Sequence, residues 1–467
     1  MHPRHAAGRA PVPSQHRAKA RRRRPLKVAA TLVAASMLAA CVAVGERIRQ
    51  LDANITTLDR VKELIGMDDR PEQRATTSAQ AAPNDPFGGR AVNILITAID
   101  SREGENAAYS GDTMETVLND VNMIAHLSAD RSRVDVVAIP RDTLLETPDC
   151  TRPDGTETHG GSTRMINVAF QRGSDNDFTA KDEGVACVMK TVELATDIRL
   201  DTFVLVQFAG FANVVDGLGG VSICVPEGLV GKKSGVDLPP GMNHLDGRKA
   251  LAFARTREGK TYYGDWLTGA DTERISRQQE LIATVINKVL ASGNLQSLGK
   301  LNATATAVTR SLYVGPELGS VMDLAGLAYA LRNIKMENVS LFTAPWVQDT
   351  QDTNRVRLAS WGAPNRFGGL NAAEVFELIA LDQPIPGTTP YKVANPEPLD
   401  DTSDPSDPSG GDPIGQDPTG EASQGAGGAT GTDGAVPQTT VPPADPDFVT
   451  PLTAPVTCPP AGQDGDD

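Results

Sequence analysis

The sequence predicts a three-layer α/β/α domain built on a central mixed sheet, with an N-terminal membrane anchor and a disordered C-terminal tail. Three observations carry this. Between about 90 and 384, short β-branched apolar runs alternate with longer segments of helical period. Upstream, eighteen uncharged residues follow a cluster of arginines. After Pro384 the chain turns into Asp, Pro, Gly, Ser and Thr with almost no large apolar residue, a composition that cannot bury a core.

Residues 1–27 hold nine Lys/Arg and no acid, and are expected to be cytoplasmic. Val28 to Gly45 is the expected transmembrane signal anchor, oriented N-inside, which places everything after Gly45 outside the cytoplasmic membrane. The long basic region and the apolar sequence continuing past Cys41 favour an uncleaved anchor over a lipoprotein box at Leu38 to Cys41 or a twin-arginine signal at Arg22-Arg23. Residues 46–89 are expected to be a juxtamembrane spacer and linker. Ile48, Leu51, Ile55, Leu58 and Ile65 suit one helical face, either a short coiled-coil stalk or a spacer partly packed on the domain. The domain proper is assigned to 90–384 and the tail to 385–467.

Within the domain, strands are expected at 92–99, 122–127, 134–139, 203–208, 221–225 and 339–343. Helices are expected at 183–196, 210–217, 246–255, 271–292, 318–332 and 371–381. Cys150 in a polar loop and Cys187 on a helix are expected to form a disulfide, as suits an exported domain, and Cys224 to be a buried thiol.

Composition and motifs exclude several functions. The formal net charge is −15, and residues 28–392 remain net negative once the basic first 27 residues and the acidic tail are set aside, so the domain offers no nucleic-acid surface. His126, His159 and His244 are not paired at zinc-ligand spacing. No G-x-S-x-G elbow occurs. Gly228 to Ser234 lacks P-loop spacing, and Gly217-Leu-Gly219-Gly220 reads as a helix C-cap and turn, not a dinucleotide fingerprint.

What remains is a charge pattern at strand and helix ends. VDVVAIPRDT (134–143) delivers Arg141 at the end of a buried strand; VNILITAI (92–99) ends at Asp100, and Asp120 precedes the run 122–127. Two carboxylates and a guanidinium at sheet edges can seat a divalent metal and a phosphate. Arg255 and Arg257 follow ALAFA, and Arg274 and Arg277 lie one helical turn apart. Arginines gathered after apolar segments beside metal-capable aspartates suit a pyrophosphate, which guanidinium binds in bidentate fashion.

Taken together, NILITAIDSR (93–102), NDVNMIAHL (119–127), VVAIPRDT (136–143), MINVAFQRG (165–173), FAGFANVVDGLGGVSICVP (208–226), LDGRKALAFARTR (245–257) and DTERISRQQ (271–279) resemble the LytR-CpsA-Psr (LCP) proteins of Gram-positive envelopes, densely from about 90 to 290. The resemblance implies transfer of an envelope glycopolymer, such as a teichoic acid, from a polyprenyl-pyrophosphate carrier to a peptidoglycan hydroxyl. It also implies that Asp100 and Asp120 hold Mg²⁺ or Mn²⁺, and that Arg102, Arg141, Arg255, Arg257, Arg274, Arg277 and Gln278 bind the pyrophosphate. Asp271 is the candidate base, and the sheet with the helix around Phe208 to Val215 is the expected slot for the prenyl chain. Asp120, twenty residues before Pro140, is preferred to Asp112 as the second aspartate.

The chain departs from the family pattern at Leu118 and Met165, where the family carries cations, and at Ala98-Ile99, where it carries Gly-Ser. Arg102 and Arg164 are candidates to substitute. Two other readings follow: a non-catalytic protein that binds polyprenyl-pyrophosphate glycans or scaffolds the wall machinery, and a pyrophosphatase that uses water as acceptor.

Overall fold

β-branched runs become strands because their side chains pack on a pleated, two-faced surface, and here both faces are covered. The structure, a computed structural model, describes residues 36–39, 42–66, 70–75, 79–99, 116–267, 271–290, 306, 309–360, 369–388 and 458. Its strands are β1 (Thr56–Thr57), β2 (Val92–Ile99), β3 (Asn119–Leu127), β4 (Val134–Ala138), β5 (Leu144–Glu146), β6 (Thr163–Met165), β7 (Thr202–Gln207), β8 (Val221–Val225), β9 (Leu229–Gly231), β10 (Val236–Leu238), β11 (Gly241–Leu245), β12 (Leu312–Val314), β13 (Val339–Thr343), β14 (Trp346–Gln348) and β15 (Val356–Leu358). Its helices are α1 (Val61–Ile65), α2 (Ala169–Ser174), α3 (Lys181–Thr196), α4 (Phe208–Gly217), α5 (Gly247–Arg255), α6 (Asp271–Leu290), α7 (Val321–Ala330) and α8 (Ala372–Ala380).

The central sheet has the order β1-β12-β7-β2-β3-β4-β13 and is mixed: β2 runs parallel to β7 and antiparallel to β3. The two-residue period of a strand sorts neighbours to opposite faces. Leu95 and Ile99 of β2 join Ile124, Val137 and Phe203 beneath Val185, Val188 and Val192 of α3 and Phe376 of α8. Val92 and Ile94 face the other way, with Met123 and Val136, toward Leu324 and Leu327 of α7 and Ile282 of α6. The expected α/β/α layering is therefore present. Although β8 was expected as a strand, it lies outside the central sheet and pairs antiparallel with β11. With the β9–β10 hairpin, α4 and α5 it forms a separate cluster around Val215, Ile223, Leu245 and Phe253.

The region before residue 90 packs on the domain. Residues 42–52 are helical, but the apolar face read across 46–66 is not one helix: β1 interrupts it and pairs with β12 before α1 begins. Leu58, Val61 and Ile65, at i, i+3 and i+7, are buried in the main core. Farther on, Arg70 binds the buried Glu193 carboxylate in bidentate fashion, Nε donating to Oε2 at 3.0 Å and Nη2 to Oε1 at 2.5 Å, and Arg131 donates to Asp85 at 2.9 Å. Residues 28–35, 40 and 41 of the expected anchor lie outside the described residues, and among the described residues no helix is long and apolar enough to cross a membrane. The expected disordered tail also lies outside them from residue 389 on, apart from Cys458.

Cys150 and Cys187 are joined, with Cα atoms 5.3 Å apart. Cys224 is not a free thiol: it is bonded to Cys458 across 234 residues. A partner so distant, inside a low-complexity tail, leaves no local trace in the sequence. His126 is a core residue, 1 % exposed, held between Asn93 Oδ1 at 2.8 Å and Asp382 Oδ1 at 2.9 Å.

Removing the first disulfide by Cys187→Ala is expected to cost about 4 kcal/mol in urea unfolding, the chain-entropy estimate for a closure of this size; a change under about 1 kcal/mol would contradict it. Burial pushes the Glu280 carboxyl on α6 up to about 7 from an ordinary 4.5, against a lowering by Arg277. The folded state then holds this proton more tightly than the unfolded chain. Its stabilisation is complete below the unfolded value and is lost as pH rises to about 7, a decline on the order of 3 kcal/mol. Glu280→Gln should flatten that part of the stability-pH curve.

Candidate functional site

The site begins with an irregularity in the sheet. β2 and β3 pair one to one from Val92↔Leu127 to Ala98↔Val121, and then Ile99 pairs with Asn119, leaving Asp120 as the extra residue of a β-bulge. A bulge re-aims a side chain and ends regular pairing. Asn119, fully buried, holds this one in place. Its amide nitrogen donates to Asn122 Oδ1 at 2.6 Å and to the Ile166 carbonyl at 3.1 Å, and its Oδ1 accepts from the Phe170 amide at 2.9 Å. Asp120 was expected just before the strand and instead lies inside β3.

Arg141 reaches the same edge from β4. Ile139 still donates to Asn122 O at 2.8 Å, and the chain then turns, closed by Thr143 Oγ1 on the Pro140 carbonyl at 2.6 Å. The turn brings Arg141 Nη1 to 2.7 Å from Asp120 Oδ1, and Arg141 Nε lies 3.5 Å from Asp142.

Two helices supply the other cations. Asp246 caps α5 by accepting from the Lys249 amide, and α5 ends at Arg255, whose guanidinium lies 4.5 Å over the Phe208 ring. Thr256 is extended and fully buried, its hydroxyl 2.7 Å from Ser234 Oγ and 2.8 Å from Ala252 O, so the chain leaves the helix with Arg255 and Arg257 flanking a fixed point. On α6, Arg274, Gln278, Leu281 and Ile282 follow helical spacing and share one face.

These elements enclose a cavity of about 510 Å³. Its walls are apolar: Ile96, Ala98, Val121 and Val206 from the sheet, Phe208 and Phe211 at the start of α4, Leu251 and Ala254 from α5, Leu281 and Ile282 from α6. Asp120, Arg141, Arg255, Arg257 and Arg274 also line it, with Gln207, Lys233, Ser234, Glu258 and Gln278. A hydrocarbon wall beside four guanidinium groups suits an amphiphile with a polyanionic head.

The structure thus brings together six of the residues predicted from sequence: Asp120, Arg141, Arg255, Arg257, Arg274 and Gln278. Arg277 is not among the lining residues; it donates to the Thr256 carbonyl and so braces the segment between Arg255 and Arg257. Arg164 is exposed on β6 and does not line the cavity either. Asp100 and Arg102, and the side chain of Asp271, lie outside the described residues. Of the stretch Phe208 to Val215, Phe208 and Phe211 line the cavity, whereas Val215 is buried in the cluster around Ile223.

Sequence reasoning missed Asn119, Gln207, Lys233, Ser234 and Glu258. For Asn119 a signal existed: two asparagines, Asn119 and Asn122, in an otherwise buried strand must satisfy their amides somewhere. For Lys233 and Ser234 none did. The stretch Gly228 to Ser234 is no P-loop, but part of the β9–β10 hairpin, and only folding carries it to the cavity.

The chain is similar to several characterised proteins. It is 30 % identical over 269 residues to the cell wall biosynthesis protein LcpA of Corynebacterium glutamicum, covering 55 % of this chain and 50 % of that one. It is 26 % identical over 254 residues to the polyisoprenyl-teichoic acid–peptidoglycan teichoic acid transferase TagT of Bacillus subtilis, covering 53 % and 67 %. The chain spans about half the length of the corynebacterial relatives it matches. The crystal structure of Bacillus subtilis TagV superposes with a TM-score of 0.44 at 21 % identity, covering 63 % of this chain and 99 % of that one. The family model of LytR_cpsA_psr matches residues 62–361, from α1 to just past β15, well over half of the chain. The chain therefore belongs to the LytR_cpsA_psr family.

Proposed function

We propose that the chain is a phosphotransferase that moves an envelope glycopolymer from a polyprenyl-pyrophosphate carrier to a peptidoglycan hydroxyl on the outer face of the cytoplasmic membrane. The observation that carries this reading is the cavity itself. Its aliphatic and aromatic wall suits a prenyl chain, and Arg141, Arg255, Arg257 and Arg274 along it suit a pyrophosphate. The names of LcpA and TagT, which refer to cell wall biosynthesis and to teichoic acid transfer to peptidoglycan, support the same polymer class and acceptor.

In this reading the acceptor oxygen forms a bond to the phosphorus that bears the glycan. The bridging P–O bond breaks, and polyprenyl phosphate leaves. Charge grows on the phosphoryl oxygens and on the leaving phosphate as that bond opens, so pre-positioned guanidinium groups lower the barrier directly. Asp120 already holds Arg141 in one orientation at 2.7 Å, which limits the reorganisation left for the reaction. Asp271 is assigned from sequence as the base that takes the hydroxyl proton.

Carboxylate oxygens are the donors that a hard cation takes. Asp120 presents carboxylate oxygens on the cavity wall, and Asp100, assigned from sequence, would complete a pair for Mg²⁺ or Mn²⁺. Such an ion would supply further neutralisation of the pyrophosphate.

The test supplies the full chain with a polyprenyl-pyrophosphate oligosaccharide, peptidoglycan oligomers and Mg²⁺, and follows products by mass spectrometry. A phosphodiester-linked glycan-peptidoglycan product is expected, abolished by chelation and by Asp120→Ala. Arg141→Ala should lower turnover by roughly 10²–10³-fold. Release of free glycan phosphate with no linked product would indicate a hydrolase, and binding with no turnover a carrier protein. Separately, Phe211→Gln, which makes the wall polar without adding charge, should weaken binding of a long-chain prenyl diphosphate by at least about tenfold while leaving inorganic pyrophosphate binding unchanged. Equal loss of both ligands would show that the apolar wall does not hold the chain.

A further inference from the structure

Beyond Glu258, which lines the cavity, the chain makes a short turn with an unusual composition. Of the 3 Trp and 6 Tyr in the protein, Tyr262, Tyr263 and Trp266 fall within five residues. All are exposed, Tyr263 and Trp266 at 72 % each. Exposed aromatics on a loop are usually isolated; here the backbone fixes them as a group. Lys260 pairs with Val230 of β9 and with Trp266, the Thr261 amide donates to Asp265 O at 2.8 Å, and the Tyr262 amide donates to Glu227 O at 2.9 Å. The Tyr262 hydroxyl donates to Asp237, and its ring packs so closely on Gly228 that a Cβ there would meet it at 2.5 Å. Trp266 has Lys260 Nζ 4.1 Å from its ring centroid. The turn is continuous with the cavity lining, because Lys233, which also lines the cavity, binds Glu258 at 2.8 Å.

We propose that this turn is a pyranose-binding platform that holds a glycan beside the cavity. A sugar ring offers an apolar face of C–H groups and a girdle of hydroxyls. Trp266 and Tyr263 present exposed aromatic surface for the first. Glu227, Asp237, Glu258 and Asp265 are exposed hydrogen-bond acceptors on or around the turn for the second. The same charges argue against a membrane contact: four carboxylates against Lys232, Lys233, Arg257 and Lys260 leave no basic excess for an anionic lipid surface. The inference rests on the glycopolymer reading only for the origin of the glycan, not for the binding of sugar.

The experiment uses the full chain in lipid nanodiscs and two soluble probes, the β-1,4-linked pentamer of N-acetylglucosamine and maltopentaose, observed by saturation-transfer NMR and titration. Binding of at least one probe is expected, weakened roughly tenfold by Trp266→Ala or Tyr263→Ala, partly kept in Trp266→Phe, and unaffected by Arg141→Ala. Farnesyl diphosphate binding, measured in the same Trp266→Ala protein, should be intact, and it reports on the pyrophosphate site independently. Binding of neither probe, or binding indifferent to Trp266 and Tyr263, overturns the proposal. So does quenching by brominated lipids of the fluorescence that Trp266→Phe removes, since that would put the turn in the bilayer.

Discussion

The site depends on how one buried asparagine is satisfied. Asn119 has no solvent to bond, so its amide must find partners within the protein, and it finds them in β3 itself, at Ile166 and at Phe170 at the start of α2. Those bonds tie the end of the central sheet to the helical layer beside it and stabilise the bulge opposite Ile99. Without the bulge, strict alternation would place Asp120 on the sheet by the two-residue rule. With it, the carboxylate meets Arg141.

The cavity is the counterpart of an incompletely covered sheet face. On one side of β2, Leu95 and Ile99 are sealed by α3 and α8. On the other, α6 and α7 cover Ile94 and its neighbours, while Ile96, Ala98 and Val121 are left as a wall. Small Ala98 leaves room there that a larger side chain would fill. The hairpin cluster around α4 and α5 closes the remaining side, and α5 and α6 each bring both apolar wall residues, Leu251 with Ala254 and Leu281 with Ile282, and a cation, Arg255 and Arg274.

Segments distant in sequence are fastened onto this framework by polar and covalent links as much as by apolar burial. Glu193 is almost fully buried and accepts both from Arg70 and from the Leu200 amide, so the chain before β2 is held through the same carboxylate that orders the end of α3. Removing one member of such a buried pair costs more than the pair contributes, since the other charge is left without a partner. Cys458 plays a comparable part for the C-terminal region by its bond to Cys224 in β8.

Strands β2, β3, β4, β7, β8 and β13 and helices α3 to α8 were legible in the sequence, whereas the other strands and α1 and α2 were not. Runs such as VNILITAI and VDVVA are apolar enough to require burial on both faces, and the helical period of 271–292 or 371–381 needs no context to be recognised. Asp120 and Arg141 were legible too, as charges set at the ends of such runs. What the sequence could not determine was which of five arginines after apolar segments would share one cavity: Arg274 and Arg277 are three residues apart on α6, yet only Arg274 lines it, while Arg277 turns to the Thr256 carbonyl. It also could not show that Lys233 and Ser234 arrive from a hairpin, or that Cys224 has a partner 234 residues away. Local pattern records the period and polarity of a segment, because these act through its own residues and solvent. Pairing across the chain is decided by the shape of the packed layers, which exists only once all of them are in place.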